Sequence, residues 1–425
     1  MFENVIGNKK LICSLREDIK NGLLPPSILL VGHPFVGKLT TALEIARILN
    51  CSNGGAWDCT CKPCMQSRTL LSPDILIIGS RDCSLEIKAA SCVILRDKSL
   101  QAYYLFLRAV RKLNMRFDSI LWDGSDANFT KATQILKDIE EYLNDINPSN
   151  IENYDDKKLD SLVTEIVKKC DKLSQECMYD SIPVNQVRNA IAWIHIMPND
   201  KRKILIVENA EKMQEGARNA FLKVLEEPPL YANFILTSNN KNAIMPTILS
   251  RVRPYIFIKR TKEEEEDVIH RVFKHTAKIE ELENFSLLSS FLYAYLPTSY
   301  EAICRASILF WKYIFSKENG AIFPSLKNIV GNYETEGGED LNISSIMNGI
   351  NKCKPNIVYD IFLQCFINIL HLIIIEGYCQ PRELEVYKQI LEHTRKAKTK
   401  VGLFNLNVQS VLEELVFEIK ELLNE

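Results

Sequence analysis

The sequence predicts an α/β domain with a parallel five-stranded sheet, interrupted by a helical insertion and followed by helices alone. Two observations carry that prediction. The first is a set of short apolar runs: SILLV at Ser27–Val31, DILII at Asp74–Ile78, KILIV at Lys203–Val207, NFILT at Asn233–Thr237 and YIFI at Tyr255–Ile258. Strands covered by helices on both faces give such continuous runs, whereas half-exposed strands alternate. The second is the helical periodicity between the runs. Thr40–Asn50 sets Ala42, Ile45, Ala46 and Leu49 on one face. Gly216–Leu225 does the same with Ala217, Ala220, Phe221 and Val224, and stops before Pro228 and Pro229.

From about residue 80 to 180 this grammar is broken. Helical patterns at Tyr103–Leu113 and Thr130–Asn144 flank a polar break, NDINPSNIENYDD, so the region reads as an insertion between two strands. Its Tyr103, Tyr104, Phe106 and Trp122 favour a packed helical subdomain, with a partner surface as the alternative. After Arg260 the pattern is helical to the end. The charge run Lys262–Asp267 opens a solvated helix, and Gly331–Asp340 reads as a loop or linker.

Composition sets bounds. The 425 residues exceed one core, and 46% hydrophobic with 25% charged residues fits globular domains. A net charge of −2 excludes a global basic field for nucleic acid. The opening MFENVIGNKK lacks the apolar core of a signal peptide. The most apolar late stretch, Cys365–Tyr378, is broken by Asn368, His371 and Glu376, as a buried helix would be and a membrane span would not. The expectation is a cytoplasmic protein with no membrane contact, whose 13 cysteines are reduced thiols or metal ligands.

Gly32-His33-Pro34-Phe35-Val36-Gly37-Lys38 follows a predicted strand and opens a predicted helix. That is the context of a phosphate loop, in which glycines let backbone N–H groups curl around phosphate and a lysine reaches its outer oxygens. A ligand-free glycine turn is the competing reading. The next position should offer a hydroxyl to Mg²⁺ but is Leu39. Thr40 follows, turned about 100° around the helix. The strand Lys203–Val207 runs into Glu208-Asn209-Ala210-Glu211. Glu208 stands where a metal-binding carboxylate belongs, and Asn209 where a base should be; an amide cannot take a proton from water. Two linked positions of an ATPase are therefore altered independently.

Cys51, Cys59, Cys61 and Cys64 crowd into residues 51–64. Four thiolates so close suit tetrahedral Zn²⁺; free thiols and redox chemistry are the alternatives. The remaining nine cysteines have no ligand spacing, and most read as small core residues.

These motifs resemble those of the bacterial clamp-loader AAA+ subunits, gamma/tau and delta-prime, the delta-prime branch most closely. VGKLTTALEIARILNC (Val36–Cys51) is similar to the family's phosphate-loop helix, which runs into its first zinc cysteine. SPDILII (Ser72–Ile78) resembles its HPD strand, and Ile182–Met213 is similar to its stretch from the VR helix through the second acidic motif. NAFLKVLEEPP (Asn219–Pro229) is nearly its signature, PTILSRVRPY (Pro246–Tyr255) resembles its arginine motif, and Phe404–Ile419 resembles its last helix. The resemblance covers roughly 1–80, 182–270 and the end. Val252 replaces the cysteine of the family's SRC triplet, and the C-x-C spacing of Cys59 and Cys61 is one residue short.

The resemblance implies an AAA+ domain over 1–258, a helical lid over 259–305 and a helical collar over 306–425 that holds subunits in a ring. It implies a delta-prime-like subunit of the DNA polymerase III clamp loader, helping to load the sliding clamp onto primed DNA. Gamma/tau and delta subunits are then its partners. Zn²⁺ would be structural on the four cysteines, and any ATP would face Gly32, Gly37, Lys38, Thr40 and Glu208. Arg251 would serve a neighbouring subunit's ATP site as an arginine finger. The alternatives are an active gamma/tau-type ATPase, using Thr40 or another ligand for Mg²⁺, and a diverged module with another task.

Overall fold

In the computed structural model, five parallel strands form one sheet in the order β2-β3-β4-β1-β5. They are β1 (Ser27–Val31), β2 (Ile75–Gly79), β3 (Lys203–Glu208), β4 (Ala232–Ser238) and β5 (Arg253–Ile256). The structure describes residues 1–282, 285–316, 355–376, 381–404 and 406–424, so the expected Gly331–Asp340 linker lies outside the described residues.

Alternation of side chains along each strand explains the continuous apolar runs. Ile28, Leu30, Ile75, Ile77, Ile204, Ile206 and Ile235 face α1 (Lys9–Lys20) and α2 (Lys38–Asn50). Leu29, Val31, Leu76, Ile78, Leu205, Val207, Phe234 and Leu236 join the core of the other face. The run YIFI differs. It belongs to the edge strand β5, which starts at Arg253, two residues before the apolar run. Tyr255 and Phe257 are buried while Ile256 and Ile258 are exposed. An edge strand needs cover on one face only, so half of its apolar run is surface.

The helix α3 (Lys62–Arg68) precedes β2. Between β2 and β3 lie α4 (Ser84–Asp97), α5 (Leu100–Asn114), α6 (Ala127–Asp145), α7 (Asp156–Lys172) and α8 (Val184–Ile194). The first four form the insertion. Phe106, Ile139 and Val163 share one apolar core with the sheet residues Leu76 and Leu205, so the insertion is a packed subdomain. Its polar break is a short 3-10 turn, Pro148–Asn153. Asp74, before β2, accepts from the backbone N–H groups of Asn199 (3.0 Å) and Asp200 (2.7 Å) and from Lys203 Nζ, tying the two strands together at one end.

After β3 come α9 (Glu215–Glu226), α10 (Pro246–Leu249), α11 (Lys262–Arg271) and α12 (Leu287–Tyr293). A capping box of Thr261 and Glu264 opens α11. Arg96 of the insertion donates to the carbonyls of Phe273 (3.0 Å) and Lys274 (2.7 Å), fastening the segment after α11.

The chain divides into two compact units, Met1–Tyr295 and Leu296–Glu425. The second holds long helices, Tyr300–Ser316, Pro355–Glu376, Pro381–Phe404 and Val408–Asn424. Trp311 stacks on Phe366 at 4.1 Å in its core. The apolar run tolerates Asn368 because its side-chain oxygen accepts from Gln364. No helix among the described residues is long and apolar enough to cross a membrane. Of the other cysteines described, Cys83, Cys170, Cys177 and Cys365 are buried, whereas Cys13 and Cys92 are exposed.

Candidate functional site

The two candidate sites lie at opposite ends of α2. At its N-terminus, Gly37 adopts φ +97, and a Cβ there would stand 2.9 Å from a terminal nitrogen of Arg260. Only glycine fits that conformation and that contact. Gly32 is equally confined: a Cβ would meet Phe257 at 2.7 Å. Arg260 donates to the carbonyl of Ile6 (3.0 Å) and to that of Phe35, so it braces the loop from the side.

Lys38 is buried and folds back onto its own loop. Its ammonium donates to the carbonyls of Gly32 (2.6 Å) and His33 (2.7 Å) and to Asn239 Oδ1 (3.0 Å) at the end of β4. Burial pushes its pKa down to about 8; Arg81 acts in the same direction and Glu211 and Glu208 in the opposite one. Leu39 is buried in the apolar core, Thr40 is half-buried, and Thr41 turns its hydroxyl onto the Gly37 carbonyl at 3.0 Å. The hydroxyl position of a Mg²⁺ site is thus filled by hydrocarbon.

Glu208 ends β3 and is buried. Gly79, its neighbour in β2, has room for no side chain, because a Cβ would meet Glu208 Cβ at 2.6 Å. The carboxylate is held by two guanidiniums. Arg116 contacts Oε2, and Arg81 Nε lies 3.5 Å from Oε1. Burial alone would raise the Glu208 pKa; Arg116 and Arg81 outweigh it and hold it below the ordinary carboxylate range. Glu86 pairs with both Arg81 and Lys112. Burial opposes ionisation there too, but Lys112 and Arg81 lower its pKa to about 2. Asn209 takes the left-handed conformation at φ 51, and its backbone N–H donates to Thr237 Oγ1 at 3.2 Å. The residues at the metal positions therefore do not fit Mg²⁺.

At the other end of α2, the four sulfurs of Cys51, Cys59, Cys61 and Cys64 all lie within 4.8 Å of one another. Cys51 Sγ is 3.6 Å from Cys59 Sγ and 3.9 Å from Cys61 Sγ. A tetrahedral ion with metal–sulfur bonds of about 2.3 Å has edges of about 3.8 Å, so this donor set fits Zn²⁺. Cys51 Sγ also accepts from the backbone N–H groups of Asn53 (3.3 Å) and Gly55 (3.2 Å). Burial raises the Cys61 thiol, but hydrogen bonds from the backbone at Ser52 and Cys64 outweigh it and bring its pKa to about 6.

The loop between the cysteines is fixed by Arg47, a buried residue of α2. Its five donors all find acceptors: Glu44 Oε2 (3.0 Å), Glu44 Oε1 (2.7 Å), the carbonyls of Gly55 (2.9 Å) and Ala56 (3.0 Å), and Cys64 Sγ (3.1 Å).

Arg251 is distant in role from both sites. It follows α10, is half-exposed, pairs with Glu226 at the end of α9, and donates to Thr247 O at 2.8 Å. Arg253 pairs with Asp18 at 3.4 Å. Sequence reasoning missed Arg47, Arg81, Arg116, Asn239 and Arg260. All but Arg47 have a partner across a long stretch of sequence, 92 residues for Arg116 and Glu208, where no spacing rule operates; Arg81 also pairs with Glu86, five residues on.

Fold and site together define an α/β protein with a phosphate-loop turn after its first strand, altered Mg²⁺ positions and a four-cysteine cluster. The chain belongs to the family described as DNA polymerase III, delta subunit, whose profile matches residues 7–261, more than half of its length. It is 33% identical over 64 residues to an uncharacterized protein of Mycoplasma pneumoniae, the MG007 homolog, covering 15% of this chain and 25% of that one. It is 39% identical over 72 residues to DNA polymerase III subunit delta' of Haemophilus influenzae, covering 16% of this chain and 22% of that one. These matches span a quarter or less of the relatives' length. A crystal structure of a DNA polymerase III gamma subunit-related protein from Thermotoga maritima aligns at 21% identity, covering 61% of this chain and 89% of that one, with a TM-score of 0.31.

Proposed function

We propose that this chain is a delta-prime-like subunit of a DNA polymerase III clamp loader, working in the cytoplasm and contributing structure rather than hydrolysis. The observation that carries the reading is the state of the nucleotide site. Leu39 fills the hydroxyl position, Glu208 is committed to Arg116 and Arg81, and Asn209 cannot act as a base. An active gamma/tau-type ATPase would need all three positions in working order, and none is.

In this reading residues 259–305 form the lid and 306–425 the collar that joins gamma/tau and delta subunits in a ring. The ring places the sliding clamp on primed DNA. The four cysteines hold one Zn²⁺, whose chemistry is purely structural because all four positions are filled by protein. Arg251 reaches a neighbour's ATP. Its pairing with Glu226 is exposed and cheap to break, and a guanidinium is always charged and presents a planar fork of donors.

The test is reconstitution. Mixed with gamma/tau and delta subunits, the full chain should co-elute as one complex that loads clamps onto primed DNA. A chain that stays apart from those subunits would contradict the assignment.

A further inference from the structure

The disagreement between this site and Mg²⁺ goes beyond lost ligands, because something has been put in the ion's place. Arg116 sits in a 3-10 turn, Met115–Phe117, directly after α5 of the insertion. Both Arg116 and Glu208 are buried, each side chain 2% exposed. The turn is held rigidly. Trp122 Nε1 donates to the Arg116 carbonyl at 2.8 Å, and the Trp122 ring stacks with Phe117 (5.4 Å), Phe129 (5.7 Å) and Tyr179 (5.4 Å). The insertion thus builds an aromatic stack whose product, at the sheet, is a fixed guanidinium. Arg81, just beyond β2, engages the other carboxylate oxygen and is itself held by Glu86.

We propose that Arg116, carried by the insertion, together with Arg81 replaces the divalent cation at Glu208, so that this phosphate loop is closed to Mg²⁺ and the insertion is what closes it. Charge accounting supports the exchange. An ordinary site brings together one lysine and a doubly charged ion. Here Lys38 stands with two guanidiniums, which supply the same two positive charges. The facing acids are Glu208 and Glu211, while Glu86 is shared by Arg81 and Lys112. A magnesium ion entering this group would meet three cations and a single unpartnered carboxylate oxygen, Glu211 Oε2, far short of the near-ideal octahedral oxygen ligands it needs. The insertion's aromatic side chains are thereby explained without a partner.

The inference rests on reading the site as a retired nucleotide site, and its test measures Mg²⁺ response, not turnover or ring assembly, so the two can fail separately. The full chain is followed by thermal unfolding and calorimetric titration in magnesium-free buffer without chelator and in MgCl2, each with and without ADP. Wild type should show no Mg²⁺-dependent shift under either condition. Arg116→Met leaves the Glu208 carboxylate with Arg81 alone and should gain a Mg²⁺-dependent rise in Tm, which Glu208→Gln in the same background removes. Should Arg116→Met fail to fold, Arg81→Met carries the test. Arg81 is 31% exposed, so its loss is the milder one, and the gain in Mg²⁺ response should be smaller but present. A Mg²⁺-dependent rise in wild type overturns the proposal. So does a folded Arg116→Met, or failing that an Arg81→Met, that is as indifferent to Mg²⁺ as the parent. If the proposal fails while the chain still joins gamma/tau and delta subunits, the functional reading stands.

Discussion

The two ends of α2 diverge from their expected patterns in opposite ways. At the N-terminus the pattern Gly32 to Lys38 is intact, yet the ligand positions around it are filled by the protein's own groups: hydrocarbon at Leu39 and guanidiniums at Glu208. At the C-terminal end the spacing is irregular, one residue short between Cys59 and Cys61, yet the sulfurs converge to distances a tetrahedral ion would ask for. A motif is a statement about the chain, and a site is a statement about space. Arg47 pins the carbonyls of Gly55 and Ala56 in the loop that leads into Cys59, whereas no adjustment of the phosphate loop can remove a cation delivered from 92 residues away.

The sharpest contrast comes from removing a cysteine. The full chain should carry one zinc per molecule by elemental analysis of untagged protein, and Cys59→Ser should lose it. Structural zinc sites contribute on the order of 10 kcal/mol of binding energy to the fold around them. Residues 51–64 should therefore become open to proteolysis while the sheet persists. A metal-free wild type with the same protection would remove the comparison altogether.

Next in size is Arg47→Met. It leaves Glu44 buried without its partner, both side chains being 2% exposed in the parent. Breaking such a pair costs about 3–5 kcal/mol. Because Arg47 also fixes Gly55 and Ala56, zinc retention against a chelator should fall in the same variant. Urea unfolding and chelator competition measure the two effects; a stability loss with unchanged zinc retention would show that Arg47 serves the helix and not the cysteine loop.

Acid should separate the two ends as well. The folded-state pKa of Glu86 lies near 2, below its ordinary value of 4.5. Its contribution is therefore complete above about pH 4.5 and is lost as pH falls toward 2. Glu208 is depressed for the same reason and acts in the same sense. Denaturation midpoints between pH 6 and about pH 3 should fall less steeply in Glu86→Gln than in wild type, zinc release being common to both. Equal slopes would mean that the Arg81–Glu86–Lys112 group is not a source of neutral-pH stability.

The smallest expected effect on the fold is that of Arg251→Ala. Its partner Glu226 is half-exposed, so the loss should stay below about 1 kcal/mol. In a reconstituted complex the same variant should lower DNA-stimulated ATP hydrolysis, in part because other sites keep their own arginines. Unchanged hydrolysis would leave Arg251 as a surface salt bridge.

The sheet was legible because its strands are buried on both faces, and β5 was misplaced by two residues because an edge strand is not. The four cysteines, Lys38, Leu39 and Glu208 were legible from local spacing. Asn239, Arg81 and Arg116 were not, since each earns its place only through a contact between elements that the fold brings together. The aromatic residues of the insertion were visible as a core, and Trp122 proved to be one; that its indole would fix the carbonyl of Arg116 had no signature in the chain.

The central claim is that this chain's own nucleotide site is idle. The most direct measurement is steady-state ATP hydrolysis by the purified chain in Mg²⁺, beside a variant that restores both Leu39→Thr and Asn209→Glu. Metal site and base act as a unit, and Arg116 still holds Glu208 in the variant. The account predicts background turnover for both, and turnover in the variant only once Arg116→Met is added. Robust Mg²⁺-dependent hydrolysis by the unmodified chain would contradict it.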